Sequence, residues 1–267
     1  MIKKISILIL ALIVGLTAIG YVMVHPLFYF NPNDVPAITA NPIDADRVFS
    51  ISKFRSDAGH DYSFKAWDGE TCRSMKHYFN WGQDSVNNMP VRSNPTPGHP
   101  DINIYAPFNG RITAVDPEQI NLGKQVHIAS DKNPSFYVRI FHVDLLPGLA
   151  VGSHVTSGEK IATIGPMDGI DVSYEAFTIF GKTVYLSIFQ YMTPQAFAPY
   201  AKLGYKPSDF ILSRSQADAL GYQCGDNQQF IRPPGFYNGI NPQTEGYVTI
   251  RPNPYQYLYN QNQGRGY

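Results

Sequence analysis

Apolar and polar positions divide the chain into four stretches. Residues 5–24, ISILILALIVGLTAIGYVMV, carry no charge. At about 1.5 Å per residue they would make a helix of roughly 30 Å, the thickness of a bilayer's hydrocarbon core. Residues 25–46 hold prolines at 26, 32, 36 and 42 and no periodic apolar pattern, which predicts an extended linker. Residues 47–225 read as a globular domain dominated by period-two alternation. Asp101–Val115 reads as strand, Pro-x-x-Gly turn, strand, and Lys124–Ala129 and Ser135–Val143 as alternating strands. In the last of these Tyr137, Arg139 and Phe141 share one face. Val138, Ile140 and His142 share the other, which predicts an inward His142. His154–Gly165 predicts a turn and a strand, and Lys182–Tyr191 a further strand. Thr193–Leu203 and Lys206–Leu220 have helical character, the second with Phe210 and Leu212 inside and Gly221 as its stop. Residues 226–267 are rich in Asn, Gln, Tyr, Pro and Gly and predict a largely disordered tail. The expected fold is mainly β: an antiparallel sheet or barrel-sandwich, a few helices after the core, and an N-terminal transmembrane helix.

Composition narrows the partners. Hydrophobic residues at 43% supply a core, so wholesale disorder is excluded. Lys plus Arg and Asp plus Glu are balanced at 21 each, and Lys3-Lys4 is the longest basic run, so nucleic acid is not an expected partner. Lys3 and Lys4 precede the apolar span and the next Lys or Arg is Arg47. The positive-inside rule then leaves the N-terminus in the cytoplasm and the domain outside, a single-pass membrane protein. The competing reading is a secreted chain whose signal peptide is cleaved after Ala37-Ile38-Thr39-Ala40, although signal cores usually run only about 7–15 residues. Cys72 and Cys224 are the only cysteines. In an oxidising compartment they suggest one disulfide, with two buried free thiols as the other reading.

Three segments in order carry a resemblance: IYAPFNGRITAV at 104–115, VRIFHVDLLPGLAVGSHVTSGEKIATIG at 138–165 and SYEAF at 173–177. They resemble the core of the lysostaphin-like (LytM-type) zinc metallopeptidases, which are peptidoglycan endopeptidases on a small antiparallel β scaffold. The matching residues are Ala106-Pro107-Phe108-Asn109-Gly110, then Phe141-His142-Val143, then Val155-Thr156-Ser157-Gly158-Glu159-Lys160-Ile161. The resemblance implies a His-x-x-x-Asp motif giving two zinc ligands, a His-x-His motif giving the third ligand and a catalytic histidine, and a partner histidine corresponding to His142. Where His-x-His would stand, this chain has Asp171-Val172-Ser173. Asn80 stands where the first motif's histidine would be, although Gly82-Gln83-Asp84 keeps its ending.

Alternative registers of the first motif use His77 or His60, so His60, His77, Asp84 and Asp171 are the candidate metal ligands and His142 the residual catalytic candidate. A catalytic zinc needs about three protein ligands and a polarised water, and a serine hydroxyl at 173 is a poor ligand. No Gly-x-Ser-x-Gly elbow or phosphate loop appears. Tyr62, Phe64, Trp67, Tyr78, Phe79 and Trp81 could stack on sugar faces or belong to the core. The expectation is a catalytically degenerate module that binds cell-wall glycan or peptide, or regulates envelope proteins, with no resident cofactor. The alternatives are an active zinc endopeptidase with a rearranged ligand set and a non-catalytic hybrid-barrel adaptor.

Overall fold

The computed structural model describes residues 32–80, 102–118, 122–165, 169–177, 182–231 and 246–250. The span at 5–24 and Asp84 lie outside these residues, and among the described residues no helix is long and apolar enough to cross a membrane.

In chain order the strands are β1 (Ser50–Ser52), β2 (His77–Asn80), β3 (Asn103–Tyr105), β4 (Gly110–Pro117), β5 (Lys124–Ser130) and β6 (Phe136–Leu145). They continue with β7 (His154–Val155), β8 (Lys160–Ile164), β9 (Gly169–Phe177), β10 (Thr183–Leu186) and β11 (Tyr247–Thr249). Three short helices follow the sheet's last long strands: α1 (Ile188–Tyr191), α2 (Pro194–Ala201) and α3 (Arg214–Leu220). The strands form one antiparallel sheet in the order β11-β1-β2-β9-β6-β5-β4-β7, with β10 beside the second half of β9 and β8 joining β6 to β3. The fold is therefore mainly antiparallel β with few helices.

Alternation along β9 and β6 builds the core. Ile170, Val172 and Tyr174 of β9 and Val138 and Ile140 of β6 are wholly buried on one face. Each such side chain contributes about 1.5–3 kcal/mol relative to exposure. Residues 32–46 are not a free linker, because Val35, Ile38 and Ile43 enter this core and the Tyr174 hydroxyl donates to the Pro36 carbonyl at 2.6 Å. Part of the tail is also ordered on the sheet: β11 pairs with β1, and Ile250 N–H donates to the Phe49 carbonyl.

Three local expectations are corrected. β3 and β4 are not a hairpin: β3 pairs with β8, while the turn between them bonds to residues 158 and 159 through Ala106. The strand expected over Lys182–Tyr191 ends at Leu186, and Ile188–Tyr191 is a helical turn. The helix expected over Lys206–Leu220 is broken at residues 211–213, because Phe54 exchanges backbone bonds with Phe210 and Leu212 there. α3 then begins on its own capping box of Ser213 and Gln216 and stops at Gly221, whose φ is +63°.

The remaining correction bears on the site. β6 changes partner in mid-course, from β9 up to Ile140 to β8 from Val143 onward. His142 sits in this break with φ +63°, and the register against β5 shifts beside it. The left-handed residue adds half a pleat, so Val143 returns to the core and His142 turns to the face opposite Val138 and Ile140. Two glycines permit the close packing: a Cβ at Gly165 would lie 2.8 Å from the His142 carbonyl oxygen, and one at Gly123 3.1 Å from the His142 carbonyl carbon.

Candidate functional site

The second face of the sheet carries the chemistry. Because Ile170, Val172 and Tyr174 point into the core, Asp171, Ser173 and Glu175 line the other face of β9. These three are nonetheless buried, since residues 53–76 leave the sheet between β1 and β2 and fold across them. The cover has a small apolar core of its own in Phe54, Tyr62, Met75 and Phe141. The Cys72–Cys224 disulfide ties it to the segment after α3.

Four charged side chains run in alternating sign beneath the cover. Lys76 Nζ lies 2.7 Å from Asp171 Oδ2, and His142 Nε2 lies 3.5 Å from the same oxygen. On its other side His142 Nδ1 is 2.7 Å from Glu118 Oε2, an oxygen that also accepts the His142 backbone N–H. The Lys76 ammonium is further enclosed by the rings of Phe141, Tyr62 and Tyr78, with centroids at 4.4, 4.7 and 4.9 Å. Such faces are electron-rich and attract a desolvated cation. His60 Nε2 stands 3.2 Å from Lys76 Nζ, while its Nδ1 faces the Asp61 carbonyl at 2.9 Å. An ammonium has only protons to give, so the imidazole's Nε2 accepts and its Nδ1 carries the hydrogen.

These contacts set the protonation states. Burial opposes a charge on His142, but Asp171 and Glu118 outweigh it and raise the imidazole to about 10. Burial would likewise raise Asp171, yet Lys76 and His142 hold its carboxyl well below the ordinary range. His60 is lowered, first by burial and then by the Lys76 charge. At neutral pH the site is thus an ordered +, −, +, − chain with a neutral His60 at its end. His142 is already protonated and has both nitrogens on carboxylates, so it has no free lone pair for general-base work.

Beside this chain lies a carboxylate with hydroxyl partners. Glu175 accepts from Tyr62 at 3.0 Å, from Tyr137 at 2.6 Å and from Ser173. Arg139 donates to the Tyr62 oxygen at 2.9 Å and to Gln125. Burial, followed by the Glu175 charge, raises Tyr62 and Tyr137 far above an ordinary phenol.

The structure brings together only part of the candidate ligand set. His60 and Asp171 meet, but at the Lys76 ammonium, and His142 reaches the same Asp171 oxygen rather than His60. His77 is elsewhere: it is fully buried on the core side, with Nδ1 2.8 Å from the Ser52 carbonyl, Nε2 2.9 Å from Ser187 Oγ, and the Phe189 ring at 4.8 Å. Both of its nitrogens are therefore committed, which removes it as a ligand. Asp84 lies outside the described residues. Among the described residues no group of three or more His, Cys, Asp or Glu side chains is placed to hold a metal ion. The residues present do not fit zinc, because the space between His60 and Asp171 is held by a cation and Ser173 donates to Glu175. The sequence reading missed Lys76, Glu118 and Glu175. Nothing in Met75-Lys76-His77 marks the ammonium as enclosed, and Glu118 had no signal either.

A pH dependence follows from His142 and His77. His142 rises from 6.5 to about 10 on folding, so its contribution is complete below about 6.5 and is lost as pH rises through 10. Stability should fall across that window by up to about 1.4 kcal/mol per pH unit, and His142→Gln should flatten the slope. His77 moves the other way, to about 4 by burial, so acid should destabilise the fold between about 6.5 and 4. Urea denaturation at a series of pH values checks both limbs.

Comparison with solved structures returns several similar chains. The chain is similar to a zinc-containing peptidase from Vibrio cholerae at 16% identity, covering 56% of this chain and 39% of that one, with a TM-score of 0.33. It is similar to the catalytic domain of the antimicrobial peptidase lysostaphin from Staphylococcus simulans at 12% identity, covering 57% and 93%, with a TM-score of 0.30. It is also similar to a chain of the SpoIIQ–SpoIIIAH pore-forming complex at 11% identity, covering 59% and 92%, with a TM-score of 0.37. The match spans less than half the length of the first of these. No family model matches the chain, and no curated protein matches it. At the ligand positions that the sequence resemblance to lysostaphin-like peptidases implies, the chain has Asn80, Asp171 and Ser173.

Proposed function

We propose that the chain is a catalytically degenerate lysostaphin-type module, held on the outer face of a membrane by residues 5–24, that binds cell-wall material or regulates envelope proteins. One observation carries the reading. The Lys76 ammonium, 2.7 Å from Asp171 Oδ2 and 3.2 Å from His60 Nε2, stands between the two candidate ligands that come nearest each other. A divalent cation entering there would meet a fixed positive charge in a desolvated setting, where Coulomb repulsion is strong. The amide-cleaving chemistry needs a metal to polarise both a carbonyl and a water, and this cluster offers it no seat. The apolar span with Lys3 and Lys4 supports the anchoring, and the Cys72–Cys224 bridge supports an oxidising compartment.

Full-length protein exposed to equimolar zinc and dialysed should retain less than about a tenth of an equivalent by elemental analysis. It should also leave wall cross-bridge peptides intact while sedimenting with isolated cell wall. One equivalent of zinc, lost in His60→Ala or Asp171→Asn, would overturn the degenerate reading. Failure to sediment with wall would leave the adaptor reading in its place.

A further inference from the structure

A pocket of about 250 Å³ opens between the cover segment and the β10–α1 connection. Its floor is apolar, formed by Phe54, Met75 and Leu186, all buried. Its walls are flat and aromatic: Trp67 is 38% exposed, and Tyr185 and Tyr191 are half-buried. Aromatic walls over an apolar floor with a few convergent polar groups are the usual make-up of a small-ligand site.

The rim carries oriented polar groups. Arg55 Nε donates to both oxygens of Glu70, at 2.8 and 2.9 Å, and its guanidinium lies 4.8 Å over the Phe54 ring. That arrangement fixes the fork and leaves Nη1 and Nη2 without a hydrogen-bond partner among the described residues. The Gln190 amide and the Tyr191 hydroxyl also have none there. Arg55 is held with φ +68°, a costly backbone state for a residue with a Cβ, at the place where its side chain reaches the pocket.

Charge selects the class of ligand. Arg55 stands against Glu70 and Asp68 in the same lining, so an anion would face two carboxylates and a cation the guanidinium. A neutral molecule bearing several hydroxyls meets neither penalty. Each hydroxyl can donate to Asp68 and accept from Arg55, Gln190 or Tyr191. A sugar ring in its chair form also has a flat C–H face suited to an aromatic wall. We propose that this pocket holds one pyranose ring of a neutral saccharide, with Trp67 against its C–H face and Arg55, Asp68 and Gln190 on its hydroxyls. This deepens the wall-binding reading by naming a ligand class, and it makes no use of the Lys76 cluster.

The test uses the full chain in a sugar-free detergent, titrated with glucose and with N-acetylglucosamine and followed by saturation-transfer NMR. Binding in the millimolar range is expected for at least one of them. Trp67→Ala should weaken it about tenfold and Trp67→Phe far less, while Phe177→Ala, an exposed aromatic outside the pocket, should leave it unchanged. Should Trp67→Ala not fold, Gln190→Ala at an exposed position carries the test, with severalfold weakening expected. No binding of either sugar at about 50 mM would overturn the proposal. So would tighter binding of glucuronate or spermidine than of the neutral sugars, or an affinity untouched by the pocket variants. Zinc uptake with intact sugar binding would sink the degenerate reading alone; wall sedimentation without sugar binding would sink the pocket alone.

Discussion

Lys76→Met should destabilise the protein by about 3–5 kcal/mol, read as a lower urea midpoint at an unchanged slope. The side chain is 2% exposed and its partner Asp171 is 7% exposed, so neither charge has water to fall back on. Removing the ammonium leaves a buried carboxylate whose one remaining cation among the described residues is His142, at the longer distance of 3.5 Å. It also vacates the cage of Tyr62, Tyr78 and Phe141, and removes the donor to His60 Nε2. Asp171→Asn should be similarly harmful, since it sets Lys76 and His142 against each other with no anion between them. It should also lower the His142 imidazole from about 10, which NMR titration of the ring would register. The double variant Lys76→Met/Asp171→Asn removes both charges and should recover much of the loss, because most of each single cost is the unpaired partner left behind. A Lys76→Met protein within 1 kcal/mol of the wild type, an amount typical of exposed pairs, would show that the ion pair is not structurally important.

The sheet was legible because it follows period-two alternation. β4, β5, β6 and β8 fall where Ile112, Val126, Val138 and Ile161 mark the buried face. What alternation could not supply is the conformation of one residue. His142 was placed with Val138 and Ile140 by counting in twos, and its φ of +63° moved it to the opposite face. No residue type in Phe141-His142-Val143 announces that break. Only the flanking Gly123 and Gly165, far off in sequence, have the smallness it requires.

The site was half legible for a related reason. A reading based on metal ligands collects His, Asp and Glu, and so found His60, Asp171 and His142, but it also gathered His77, whose two nitrogens are used inside the core. It had no means of weighting Lys76, because lysine is ordinarily a surface residue and Met75-Lys76-His77 gives no sign that the ammonium is enclosed. Residues 53–76 were legible residue by residue, at His60 and Cys72, but not as a cover. They hold isolated bridges rather than strands, at Phe54, Ser56 and Ala66, so no period marks them as the lid of a buried polar face.

That lid should depend on the disulfide. Cys72 and Cys224 close a loop of 152 residues, and constraining so long a loop in the unfolded chain is worth about 5 kcal/mol on the entropic model. Reduction, or Cys72→Ser with Cys224→Ser, should therefore lower the melting temperature by roughly 10–20 °C for a domain of this size. Much of the lost protection should be local. The bridge, the Arg73–Asp218 ion pair and the Asp61 N–H bond to the Gln228 carbonyl all tie the cover to α3 or the segment after it, close to Tyr62. Hydrogen exchange should accelerate first at backbone amides such as Tyr62, Arg73 and Ser74, which bond within the cover, while the β5–β6–β9 ladders stay protected. A reducing agent should then have no further effect on the double serine variant, which separates loss of the bridge from any other action of the reagent. Uniform acceleration across cover and ladders alike would mean that the bridge stabilises the whole domain without specifically holding the lid.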